Sequence, residues 1–132
     1  MKMYHSRVKD YVGIDINYDA IYSATDGAIS RYLTLKSKFP NFTNMKYILA
    51  DVGALLNVKD QEKSLGPMSE ENKEVVKKVF GSNTKFNIVS SHFAIHYLFS
   101  NDLVLNNAMA NIKNHIQTGG IVIYTLFDMT QV

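Results

Sequence analysis

The sequence contains no cysteine in 132 residues. That excludes disulfides, thiolate nucleophiles and cysteine-ligated zinc, and it fits a reducing compartment. Net charge is nearly absent as well: 14 Lys and Arg stand against 12 Asp and Glu, for a formal +2. So balanced a chain lacks the basic footprint with which a sequence-independent nucleic-acid binder holds phosphates. Any RNA contact is expected at an end or a base, not along a backbone track. No apolar run approaches the roughly 20 residues of a membrane span, so no membrane partner is expected. The opening Met-Lys-Met-Tyr-His-Ser-Arg has no apolar core of a secretion signal. What is present is ordinary globular composition, 46% hydrophobic and 20% charged, enough for one domain with a core.

The pattern alternates strands and helices. Residues 10–16 form a short apolar run ending at an acid and predict a buried strand. Asn17 is a plausible N-cap for a helix running to about Lys36, with Asp26-Gly27 as a weak point. Its apolar face would carry Ile21, Ala24, Ala28, Tyr32 and Leu35. Residues 45–52 predict a second strand ending near Asp51, and residues 53–68 a mobile connection. Ser69 is expected to cap a short helix, with Glu70 and Glu71 in its first turn and Lys77 and Lys78 in its last, as the helix dipole favours. Residues 85–90 predict a third strand. A helix from Asn101-Asp102 ends at Thr118-Gly119-Gly120, and residues 121–126 predict a fourth strand. Such alternation implies an α/β fold with a parallel sheet, its strands buried on both faces.

In open α/β sheets ligands bind beyond the carboxyl ends of the strands. Asp15 stands there, either to accept from ribose hydroxyls or to satisfy the next helix dipole. Asp51, followed by Val52, either accepts from an adenine amine or closes a strand-end turn. Arg31 either binds a phosphate or base or is a solvated helix residue. Residues 86–99 read Phe-Asn-Ile-Val-Ser-Ser-His-Phe-Ala-Ile-His-Tyr-Leu-Phe. Here His92 and His96 would share a helix face. They could pair at a metal, lie half-buried at a helix start, or form with Tyr97 a base-recognition pocket. No further ligand-type residue nearby supports the metal.

This last run resembles the F-D-I-x-S-x-Q-F-x-x-H-Y-x-F signature of mRNA cap guanine-N7 methyltransferases, especially the capping enzymes of large DNA viruses. Asp15, Arg31-Tyr32 and Asp51 match the family's series in order, so the resemblance covers about residues 8–127. It implies a class I (Rossmann-like) methyltransferase fold and S-adenosylmethionine as cofactor. Asp15 would hold the ribose, Asp51 and Val52 the adenine, and His92 would lie near the methionine part. His96 and Arg31 would face the cap guanine, and Tyr97 would line the wall between guanine and cofactor. The partner implied is the capped 5′ end of mRNA, in the cytoplasm or at a viral replication site. Guanine N7 has a free lone pair, so no general base, and no catalytic residue beyond the positioning groups, is implied.

The sequence departs from the family in four respects. Asn87 replaces an acid and His92 a glutamine. The segment between Asp15 and Arg31 is about one turn longer. The glycines at 13, 27, 53, 66, 81, 119 and 120 form no G-x-G, so the family's first strand with its glycine-rich turn has no counterpart, and neither do the last strands. Residues 1–132 are therefore expected to be a partial methyltransferase domain of a longer capping enzyme, inactive alone. The absent strand would lie between those at 10–16 and 86–90, leaving open apolar edges prone to self-association. Two rivals stand: a non-catalytic methyltransferase-like module acting through a protein partner, and a class I methyltransferase with another acceptor.

Overall fold

The computed structural model describes residues 8–81, 83–92 and 101–125. Its order is β1 (Asp10–Asp15), α1 (Tyr18–Tyr22), α2 (Ala28–Lys38), β2 (Asn44–Leu49), α3 (Val58–Leu65), α4 (Glu70–Phe80), β3 (Phe86–His92), α5 (Asp102–His115) and β4 (Ile116–Thr125). The α/β alternation expected from the pattern is present. None of the described helices is long and apolar enough to cross a membrane.

Among the described residues the strands form two separate two-stranded sheets, β1 with β2 and β3 with β4, both parallel. Ile48, Ala50, Val76 and Val79 make the main core, and Val12 and Ile14 of β1 and Phe86 of β3 pack on it. A smaller cluster joins Ala108, Val104 and Leu105 of α5 to Val52. The expectation that all strands are buried is corrected. Ile88, Ile121 and Ile123 are about half exposed, because among the described residues this strand pair is not covered on both faces.

Three local expectations are also corrected. The single helix after Asn17 is two helices, broken at residues 23–27. Gly27 causes the break: its N–H closes on the Ser23 carbonyl at 3.0 Å, and a Cβ there would lie 2.5 Å from that oxygen. The connection at 53–68 contains α3, capped by the Asn57 side chain on the Asp60 N–H at 2.8 Å. Its pattern is almost wholly polar, so no apolar stripe announced it. Finally, α5 ends at His115, and Gly119-Gly120 lies inside β4. Phe86 pairs with Ile116 but Ile88 with Ile121, so β4 carries a bulge, and Gly119 takes φ +82° within it.

Side-chain amides finish what the ladder leaves open. The β2 edge away from β1 is met by Asn72 of α4, which accepts from Leu49 N at 3.0 Å and donates to Leu49 O at 2.9 Å. Gln61 of α3 treats Asp51 likewise, accepting from its N–H at 2.7 Å and donating to its carbonyl at 2.8 Å. Asn111 of α5 accepts from Leu56 N and donates to the carbonyls of Val52 and Ala54. All three amides are buried, where an unmade hydrogen bond is costly.

Asn72→Ala should therefore destabilise the chain by about 2–4 kcal/mol, since it strands a buried N–H and C=O together; urea unfolding measures this. A second expectation concerns pH. His115 packs edge-on against Phe80 at 4.9 Å. Its pKa is lowered, chiefly by burial and further by Lys85, against a raising hydrogen bond to Thr84. The folded state thus binds fewer protons than the unfolded state below the usual histidine value of about 6.5. Stability from this group is present above that value and is lost as pH falls through the depressed folded pKa. In His115→Gln this part of the pH dependence should vanish from thermal unfolding curves.

Candidate functional site at the carboxyl ends of the first strand pair

Asp15 is the last residue of β1, and its register partner is Leu49 at the end of β2. It is exposed, and its Oδ1 accepts from Asn17 N at 2.8 Å. The Asn17 side chain in turn accepts from Asp19 N and Ala20 N, capping α1. A chain of short contacts thus fixes the carboxylate at the strand end while leaving it most of its acceptor capacity.

Beside Asp15 is a recess of about 260 Å³ between β1 and the helices, lined by Tyr11, Gly13, Asp15, Arg31 and Tyr47 among others. Gly13 is needed for its shape. A Cβ there would sit 2.8 Å from the Tyr47 ring and 3.0 Å from that of Tyr11. Burial pushes the Tyr47 phenol up, as does Tyr11, while the Arg31 guanidinium acts in the opposite sense. Arg31 was expected late in a long helix; the break at Gly27 puts it in the first turn of α2, with its N–H on the Gly27 carbonyl. That shift brings Arg31 and Asp15 to one recess. A larger hollow of about 550 Å³ lies at the amino ends of β1 and β2, and no predicted site residue lines it.

Asp51 lies two residues beyond the end of β2 and is 8% exposed. Its Oδ1 accepts from Gly53 N at 2.8 Å and its Oδ2 from Ser64 Oγ at 2.6 Å. The turn-closing arrangement is therefore present, and each oxygen keeps a further lone pair. Val52 turns its carbonyl to Asn111, and Asn107 donates to the Gly53 carbonyl at 3.0 Å. Asp15 and Asp51 thus share the carboxyl edge of one parallel pair, in different surroundings: one open, one clamped.

His92 is the last residue of β3, paired in register with Thr125. It stands on a strand, not on a helix face with His96. His96 and Tyr97 lie outside the described residues. Sequence reasoning missed Gln61, Ser64, Asn72, Asn107 and Asn111. The available signals were spacings: Gln61 and Ser64 three apart and Asn107 and Asn111 four apart, each pair on one helix face.

A family model, the mRNA (guanine-N(7))-methyltransferase domain, matches residues 1–132. A probable mRNA-capping enzyme of Acanthamoeba polyphaga mimivirus is 36% identical over 128 residues, 97% of this chain. The chain spans only 11% of that relative's length. No solved structure matches.

The tight contact at Gly13 gives a direct test of the recess. Gly13→Ala should cost about 1–3 kcal/mol by overpacking and displace the Tyr47 ring. Denaturant unfolding reads the first, and the ring resonances of Tyr47 in an NMR spectrum read the second.

Proposed function

The chain belongs to the mRNA (guanine-N(7))-methyltransferase domain family, and from that premise we propose that it contributes the cofactor-binding half of a cap methyltransferase. The full activity would be methyl transfer to N7 of the cap guanine, carried out by a longer capping polypeptide. The observation that carries this reading is the exposed, fixed carboxylate of Asp15 at the carboxyl end of a parallel strand, two residues short of the level of Asp51 on its neighbour.

These donor sets fit S-adenosylmethionine. Asp15 is an open acceptor for two ribose hydroxyls, and charge-assisted hydrogen bonds of this kind are strong. Asp51 offers its remaining lone pairs to the adenine amine. Val52 N–H would meet the adenine ring, and Arg31 faces the recess beside Asp15 from which cap contact is proposed. His92, His96 and Tyr97 keep the roles the resemblance implies, near the methionine part, the guanine and the wall between them. When bound, S-adenosylmethionine supplies an electrophilic sulfonium methyl, and N7 accepts it without a base. The task of the chain is orientation.

We further infer that the two strand pairs are halves of one class I sheet. Both are parallel, β1 and β3 each lack a second strand neighbour among the described residues, and residues of both pack on one core. A strand and a glycine-rich turn from elsewhere in the longer polypeptide would fill the space between. The half-exposed Ile88, Ile121 and Ile123 also favour a second reading, a non-catalytic module completed by a protein partner or a second copy.

Calorimetric titration with S-adenosylhomocysteine separates the two. The methyltransferase reading expects the polypeptide encoded by the native reading frame to bind, and these 132 residues alone to bind far more weakly. Asp15→Asn in the longer polypeptide should weaken binding about tenfold to a hundredfold, as loss of hydrogen bonds to a charged group implies. Absence of binding by the longer polypeptide, or binding indifferent to Asp15→Asn, would count for the partner module.

A further inference from the structure

The helix α3 is short and polar, with half of its residues exposed, yet it aims two residues at Asp51. Gln61 holds the Asp51 backbone from both sides, and Ser64, one turn on, donates to the carboxylate. Gln61 is fully buried and its role is structural. Ser64 is different. The residue is exposed, and its hydroxyl donates to Asp51 Oδ2 at 2.6 Å. With Gly53 N on Oδ1 at 2.8 Å, this bond fixes the carboxylate plane by one donor on each oxygen. A carboxylate held by Gly53 alone would keep its rotation about χ2, a broad torsion.

We propose that Ser64 is a positioning residue for adenine recognition. It locks the Asp51 carboxylate so that the second lone pair of an oxygen is presented to the exocyclic amine of the ligand. The proposal rests on the reading of Asp51 as the adenine-binding acid. Its consequence is selectivity between purines. A 6-amino group donates to the locked carboxylate, whereas a 6-oxo group would set acceptor against acceptor. A site built to hydrogen-bond one group rejects the analogue that lacks it, because its own polar group is then left unpaired.

The test titrates S-adenosylhomocysteine and its 6-oxo counterpart, S-inosylhomocysteine, into the polypeptide of the native reading frame. The unmodified polypeptide should strongly prefer the 6-amino ligand. Ser64→Ala should weaken that ligand about tenfold, the size expected for one hydrogen bond to a charged group, and change the 6-oxo ligand little. Ser64→Cys keeps the volume with a weak donor and should behave as Ser64→Ala. Ser64→Thr retains the hydroxyl and should restore the preference. Equal weakening of both ligands by Ser64→Ala and Ser64→Cys would mean that Ser64 only supports the fold, and the proposal falls while the Asp51 reading stands. No preference in the unmodified polypeptide would overturn the Asp51 reading and the proposal with it.

Discussion

Three buried amides hold the backbone where β2 ends, and the candidate site depends on them. A strand that leaves its ladder exposes N–H and C=O groups that must be satisfied. Here Asn72, Gln61 and Asn111 supply the missing partners, each offering donor and acceptor from one planar group. An amide side chain reproduces the hydrogen-bonding face of a neighbouring strand without requiring one. Asn72 thereby holds Leu49 at the strand end, Gln61 and Asn111 hold the loop from Asp51 to Leu56, and Asp51 inherits a fixed position from its own backbone.

Much of this was visible in the residues, and the part that was not has a physical reason. Apolar runs ending in acids located β1 and β2, because a buried strand and the polar turn that follows it have opposite chemical needs. The caps at Asn17, Ser69 and Asn101 were legible because a helix start has few solutions. By contrast α3 was illegible, since it buries a glutamine rather than an apolar stripe. The break at Gly27 was marked as a weakness, but only the close approach of the Ser23 carbonyl decides that the chain turns there. The family signature in residues 86–99 pointed to a function more sharply than any geometry, although its His96 and Tyr97 lie outside the described residues.

The two strand pairs express one tension. Each is rich in aliphatic residues, as strands covered on both faces should be, yet among the described residues the second pair leaves three isoleucines about half exposed. Surface of this kind is stable only as an interior. The charge balance agrees, since nothing in it would repel a companion segment.

The amide clamps also differ in how far along the chain they reach. Gln61 spans 10 residues to Asp51 and Asn72 spans 23 to Leu49, whereas Asn111 reaches back 55 to Leu56. Closing a short loop sacrifices less chain entropy than closing a long one. The separations therefore imply an order of assembly. The unit from β1 to α4 can close on local contacts, and the α5 latch joins a loop that already has its shape. On a ribosome the same order follows the direction of synthesis, so the Asp51 turn emerges ahead of the helix whose amide latches it.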